Sequence, residues 1–347
     1  MSNDQLEKSL LAHIYKGLKS PGGITISLTI VGALLATVDK GSYIIVTAIV
    51  TGGMWALMAM GLALVFGVMN IPNFAHGDFF MIGALVAYFV FTPLSNYVSQ
   101  HSSPLWVALV PFLAIFMAAG AGAVAGILSE LFVFRPLRKR SKEQWVMNSF
   151  VLTVGLSTVL INGHQVFLGT DFRGIVSYWP YPSIPFFGFY ISFDRFLIFL
   201  LALAIMLGFW GFMKFSSKGR AIRAVSQDET GALLVGVHLN TIQTLTLALG
   251  SGLAALAGAS LLFMFPAYPT VGLGPLYNSF FVIVVVGLGN VGGAVAGGFI
   301  VALLQVLTTV YVGEGWGYVV PSVVIVAILL FKPSGIFGSE VRGVLDQ

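Results

Sequence analysis

Within one apolar stretch of bilayer-spanning length stands Asn70-Ile71-Pro72-Asn73-Phe74-Ala75-His76-Gly77-Asp78, and apolar residues resume at once with Phe79-Phe80-Met81-Ile82. Lipid offers no hydrogen bonds, so irregular backbone at this depth survives only where protein buries it or water lines it. Discontinuous helices of this kind surround solute sites near the bilayer midplane in membrane transporters, and a second interruption in the other half of the chain strengthens the sign. Phe280-Phe281-Val282-Ile283-Val284-Val285-Val286 supplies one by running into Gly287-Leu288-Gly289-Asn290-Val291-Gly292-Gly293. The candidate path residues are therefore Asn73, Phe74, His76, Gly77 and Asp78 from the first break, and Gly287, Gly289, Asn290, Gly292 and Gly293 from the second. The two breaks are expected to face each other or a shared path.

Each of these residues also has a purely structural role open to it. Asp78 can cap a half-helix beginning at Phe79, where a carboxylate satisfies free N–H groups and favours the positive dipole end. His76 can bond a neighbouring helix without touching a solute. The glycines serve backbone geometry and close packing. Glu130, beside a basic loop, is expected to pair locally.

The elements that must position these residues follow from composition. Hydrophobic residues make up 57% of the 347 and charged residues 9%, against roughly 25% charged in a soluble domain, so most of this surface faces lipid. Spans of about 20 apolar residues fall near 44–69, 105–129, 145–162, 196–213, 241–265 and 290–312, with shorter pieces at 24–38, 79–92, 279–288 and 318–331. The fold class is all-α and polytopic, with roughly 8–10 membrane or half-membrane helices. The transmembrane domain is set at 24–338, preceded by an amphipathic segment over 1–23 and followed by a tail over 339–347. Leu6, Leu10, Leu11, Ile14 and Leu18 recur at near-helical spacing among Lys8, Lys16 and Lys19, as in a helix lying on a membrane face. Asp4, Glu7 and the lack of a small-x-small site after Val38 argue against a cleaved signal peptide.

Lysine and arginine set orientation. Arg135, Arg138, Lys139, Arg140 and Lys142 share one loop, Lys214, Lys218, Arg220 and Arg223 a second, and Lys332 and Arg342 the tail. All three, and both termini, are expected in the cytoplasm. Residues 163–194 then face outward, with Tyr178, Trp179, Tyr181 and Tyr190 expected in an interfacial belt. The polar stretch 214–240 reads as a short amphipathic helix outside the membrane. Ala221, Ala224, Val225, Ala232 and Leu233 form its apolar face, Arg220, Arg223, Asp228 and Glu229 decorate it, and Gly219 and Gly236 mark its ends. Such a helix is made to dock on a cytoplasmic partner.

Other chemistry is excluded. Gly287, Gly289 and Gly292 match G-x-G-x-x-G, but no acidic residue follows at about 20 residues and membrane-length segments flank it. No G-x-x-x-x-G-K-[ST] occurs, so ATP has no P-loop here. His13, His76, His101, His164 and His238 show no ligand spacing, so no metal site and no catalytic residue is assigned. The basic residues are a topology signal rather than a nucleic-acid surface. The small-residue stripes Gly122-x-x-x-Gly126, Gly250-x-x-x-Ala254-x-x-x-Gly258 and Gly293-x-x-x-Gly297 are expected to pack helices.

The stretch GLALVFGVMNIPNFAHGDFFMIGALVAY, the loop GRAIRAVSQDETGALLVGV, and the runs VVGLGNVGGAVAGGFIVALLQ and LLFKPSGIFG resemble permease subunits of branched-chain amino acid ABC importers. FRPLRKR at residues 134–140 is similar to that family's arginine-proline signature. The resemblance implies a non-enzymatic translocation subunit in the inner membrane. Its implied partners are a second related permease, two cytoplasmic ATPase subunits that bind ATP and Mg, and an external or periplasmic solute-binding protein. It further implies that Gly219, Arg220, Arg223, Ala224, Asp228 and Gly236 belong to the segment that docks on the ATPase. Pro72, Asp78 and Gly231 depart from the family's usual residues. Relatives in this family also import urea and short amides, so both cargo classes stay open, beside a gradient-driven transporter or channel as the alternative of another class.

Overall fold

The computed structural model describes residues 21–41, 43–101, 104–140, 145–186 and 189–331. Residues 1–20 of the amphipathic segment expected over 1–23, and the tail expected over 339–347, lie outside the described residues, while residues 21–23 already belong to the first helix. Helix α1 spans Pro21–Lys40, α2 Tyr43–Met69, α3 His76–His101 and α4 Pro104–Ser129. A π turn, Glu130–Phe134, carries α4 into α5, Arg135–Arg140. Then follow α6 (Trp145–Leu168), a hairpin of β1 (Ile184–Phe186) and β2 (Phe189–Ile191), α7 (Phe193–Phe215), α8 (Ser217–Gln227), α9 (Glu229–Leu234), α10 (Leu239–Ser260), α11 (Leu273–Val286), α12 (Val291–Tyr311) and α13 (Val319–Phe331). Among the described residues seven helices are long and apolar enough to cross a membrane, joined by three shorter apolar ones.

The molecule has two chemically distinct ends. Lys214, Arg223 and the last turns of α2 line one cavity, and the Trp145 indole donates to the Met69 carbonyl at 3.3 Å, so both basic loops gather at one end. The β-hairpin marks the other, where Tyr190 and Arg195 meet Tyr43 at the start of α2. At 27 residues, α2 is ~40 Å long and joins the two ends through the core.

Glycine governs how the central helices meet. A Cβ on Gly61 of α2 would lie 2.6 Å from the Gly250 carbonyl of α10, and one on Gly298 of α12 would lie 2.6 Å from Ala56 of α2. Gly122 and Gly126 of α4 press on Ser251 and Ala255 of α10. The small-residue stripes therefore pack helices, as their spacing predicts.

Three boundaries differ from the sequence reading. Helix α3 is a full 26-residue helix from His76, not a half-helix over 79–92, and carries Pro93 within it; freed backbone groups at such prolines are satisfied locally in membrane helices. Helix α10 stops at Ser260 instead of 265, because Pro266 and Pro269 lack N–H donors and bias the residues before them away from helix. Helix α11 starts at Leu273, well before 279. Residues 261–272 thus form a third interruption, the one the sequence reading missed. Its signal was Phe265-Pro266-Ala267-Tyr268-Pro269, two prolines inside an apolar run.

The aromatic loop also corrects an expectation. Tyr178 and Trp179 are buried rather than interfacial. The Asp194 carboxylate accepts both of their backbone N–H groups at 2.9 Å and the Ser177 hydroxyl at 2.8 Å. The Tyr178 hydroxyl donates to Ala259 O at 2.6 Å, and the Trp179 indole to Ala108 O at 3.0 Å. Burial, with Asp194 beside it, holds the Tyr178 phenol above its ordinary pKa. Tyr181 and Tyr190 are exposed, as a belt requires.

Candidate functional site

The first break leaves α2 at the basic end and returns to mid-depth. Met69 closes α2, yet the His76 Nε2 donates to Met58 O at 3.0 Å, eleven residues back and so ~16 Å up the helix. Residues 70–75 climb that distance without helical bonds. Asn73 makes this possible: its carboxamide oxygen accepts the Ala75 N–H at 3.1 Å just before α3, a local side-chain turn that asparagine favours. The capping expected of Asp78 is thus shared differently. Asp78 lies in the first turn of α3, where its charge suits the positive dipole end, and it hydrogen-bonds Ser157 of α6. Helix α6 covers the break, its Thr153 hydroxyl sharing one proton between Phe150 O at 2.9 Å and Pro72 O at 3.3 Å. Phe74 packs its ring against Phe150 at 5.1 Å and Phe280 at 5.0 Å.

Two half-membrane paths converge at Gly77. Residues 261–272 descend from the hairpin end, where Ala267 and Arg173 exchange backbone bonds at 2.8 and 2.9 Å, and reach Gly272 against Gly77. A Cβ on Gly77 would lie 2.5 Å from the Gly272 carbonyl. Helices α3 and α11 therefore start side by side and run to opposite ends. The structural counterpart of the first break is this third interruption.

The break over 287–293 is a tight turn at the basic end. Gly287 and Gly289 have φ of 107° and 78°, a region that disfavours any side chain. Gly289 abuts Gly67 of α2, a Cβ there lying 3.2 Å from the Gly67 Cα. Asn290 is the N-cap of α12, accepting the Gly293 N–H at 2.9 Å. Gly293 packs on Val286, whereas a Cβ on Gly292 would meet only Asn290 at 3.8 Å, so packing does not require glycine there. Gly289 of the second break touches Gly67 of α2, and Phe74 of the first touches Phe280 of α11, so each break packs on the helix that leads into the other.

The coupling segment is two helices, α8 and α9, turning at Asp228, rather than one. Ser216 caps α8 by accepting the Gly219 N–H at 2.8 Å. Gly219 is buried under Phe212 and Met213, where a Cβ would lie 2.5 Å from Phe212 O. Arg220 donates to Phe215 O at 2.9 Å and Arg223 to Met213 O, so both guanidiniums cap the last carbonyls of α7, where cations are favoured. Ala224 is half-buried, and Gly236 ends the unit at φ 85°. Of the apolar face read from spacing, Val225 and Ala232 are buried but Leu233 is 51% exposed; Ile222 is buried with them, and Leu234 and Val235, 84% and 78% exposed, form an outward face that spacing missed. A cavity of about 410 Å³ joins this unit to the second break, lined by Ile222, Arg223, Gln227, Gly289, Asn290 and Gly67 among others.

Glu130, fully buried in the π turn, pairs with Arg138, and the Arg138 guanidinium stands 5.2 Å from the centre of the Trp145 ring. The local pairing expected of Glu130 is present.

Two helices that start side by side at mid-depth, α3 and the shorter α11, inside a bundle of membrane-length helices, are the architecture of a polytopic permease. The profile of the family described as branched-chain amino acid transport system, permease component, matches residues 44–329, and the chain belongs to that family. It is 29% identical over 299 residues to the high-affinity branched-chain amino acid transport system permease protein BraD of Pseudomonas aeruginosa, covering 85% of this chain and 94% of the relative. Identity to the corresponding permease protein LivH of Escherichia coli is 28% over 295 residues, or 83% and 92% of the two chains. A probable branched-chain amino acid transport permease protein of Methanocaldococcus jannaschii is 25% identical over 301 residues, or 84% and 91%. No solved structure matches the chain.

Proposed function

We propose that this chain is the membrane-spanning permease of an ATP-driven importer that carries branched-chain amino acids from an external solute-binding protein into the cytoplasm. A second related permease completes the conduit, and two cytoplasmic ATPases, binding ATP and Mg, dock on α8 and α9. The basic end then faces the cytoplasm of a cell with this protein in its inner membrane, in keeping with the bias of lysine and arginine toward that side. The observation that carries the reading is the cavity shared by α8 and the turn at Gly289. A docking unit that walls the same space as a break in the helices can transmit movement directly to the conduit.

The test is reconstitution. Cells lacking their own importers and expressing this chain with a second permease, the ATPases and a binding protein of the same system should accumulate labelled leucine, and the ATPases should co-elute with this chain. Competing uptake with urea and short amides in excess separates the cargo classes. Leucine uptake driven by an ion gradient without ATPases would overturn the reading.

A further inference from the structure

The two helix starts that meet at mid-depth, those of α3 and α11, are electrically unequal. Helix α3 carries Asp78 in its first turn, whereas α11 has no acidic residue in its own. A helix N-terminus bears about half a positive elementary charge. Asp78 offsets that of α3; in the first turn of α11, Leu273 and Leu276 already donate to Thr270 O and Gly272 O and Pro275 has no N–H, which leaves the Gly274 N–H to be met.

The first turns of α11 are also surrounded by unusual polar groups. The Tyr318 hydroxyl lies over Gly274, occupying the place a Cβ would take. Asn278, one turn on and on the same helix face, is fully buried. Its Nδ2 donates to Gln305 Oε1 at 3.1 Å, and the same oxygen accepts the Trp55 indole N–H at 3.1 Å. Tyr318 hydrogen-bonds Gln305 as well. Asn278 Oδ1 has no partner among the described residues. An acceptor left unpaired in a buried site is costly unless something donates to it.

We infer that the start of α11, with Asn278, Gln305 and Tyr318, forms a binding station for the two charged ends of a zwitterionic solute. The carboxylate takes the place of the Tyr318 hydroxyl at the uncompensated helix N-terminus, as anions do at such ends. The ammonium donates to Asn278 Oδ1. Trp55, whose ring lies 6.4 Å from that of Phe265, offers the adjoining apolar wall. Tyr318 has room to swing outward, being 40% exposed at the end of the turn Gly313-Glu314-Gly315-Trp316-Gly317. It serves as a lid. This inference rests on the amino acid reading above and adds where the cargo is held.

The experiment uses the complete importer in cells. Asn278→Leu and Gln305→Met should each lower leucine uptake at least tenfold without reducing assembled complex, while Asn278→Asp, which keeps an acceptor, should retain at least a third of it. This chain has no native cysteine, so a Tyr318→Cys variant, which removes the phenol lid, leaves a thiol over the station that a bound solute shields. Its labelling by a thiol reagent should slow at least threefold when binding protein and saturating leucine are added, and this protection should vanish once Asn278→Leu is combined with it. Uptake within twofold of the parent in both apolar variants, or labelling indifferent to leucine while the parent imports it, overturns the station and leaves the importer standing. A parent complex that imports no leucine overturns the amino acid reading itself. If the apolar variants fail to assemble, protection of Tyr318→Cys alone decides.

Discussion

Alanine at Gly77 tests the meeting of α3 and α11 with the least chemical change. Its Cβ would stand 2.5 Å from the Gly272 carbonyl oxygen, 3.0 Å from the carbon and 3.1 Å from Leu276 Cβ. An unstrained C–H to O contact is about 3.3–3.6 Å, so α3 and α11 must part by ~0.9 Å. Backbone rather than a flexible side chain stands opposite, so local give cannot absorb the shift. Overpacking of this kind costs about 1–3 kcal/mol. Parting the helices also forfeits about a quarter to a half of each facing contact, bringing the total to ~2–4 kcal/mol. That corresponds to roughly a 30- to 1000-fold change in the folding equilibrium. Titration of the purified protein with SDS in one detergent should show Gly77→Ala unfolding at clearly lower SDS than the parent. Gly155→Ala is the control, since nothing lies within 4 Å of a Cβ there; alanine in a helix interior gains about 0.5–1 kcal/mol over glycine. Equal midpoints for Gly77→Ala and the parent would show that the contact between Gly77 and Gly272 is not tight in solution, and the convergence of α3 and α11 would fall with it.

Three further outcomes are expected. Leu234→Asp should cut ATPase co-elution at least tenfold at normal yield, because Leu234 is 84% exposed and supports nothing within this chain; Arg223→Glu should instead lower yield, because it strips a cap from α7, and the reverse pattern would place the docking surface on α8. A cysteine at Ser183 should react with an impermeant thiol reagent on intact cells while one at Ser217 should not, and the opposite labelling would invert the orientation. Asp78→Asn keeps the Ser157 contact but loses the charge at the start of α3, a change of about 0.3–1 kcal/mol, up to ~2 where partly buried; stability should fall by that much with transport retained, and lost transport at normal stability would give the carboxylate a direct part in the conduit.

Most of the architecture was legible because lipid imposes simple rules. Long apolar runs had to be helices, and the interruption at Asn73 had to be covered, so the spans and the first break could be located from composition alone. The stripes through Gly122 and Gly250 announced their packing for the same reason. What escaped was set by tertiary geometry. Nothing local distinguishes the glycine turn over 287–293 from a re-entrant segment, and only the contact between Gly77 and Gly272 reveals that residues 261–272 are the true partner of the first break. The arginines of α8 looked like a docking surface by periodicity, yet the chain turns back on itself so that Arg220 and Arg223 reach the carbonyls of α7. Leu234 and Val235 face outward because α9 changes direction at Asp228, a bend with no proline or glycine to signal it. Tyr178 and Trp179 read as interfacial by residue type, and only the carboxylate of Asp194 draws them inward.

The crossing of α2 and α10 at Gly61 and Gly250 carries a mechanical consequence. On one side of it a chain segment enters from the basic end and α3 leaves toward the hairpin; on the other, a segment enters from the hairpin end and α11 leaves toward the basic end. The two halves repeat one design upside down about a backbone-to-backbone glycine contact bordered by the Val65 side chain, which makes that contact a fulcrum. Tilting either way exchanges similar packing for similar packing, so states open to opposite faces can differ by only a few kcal/mol, the range in which a partner's differential binding selects between them. A rocker balanced in this way needs an external push for direction and very little for motion.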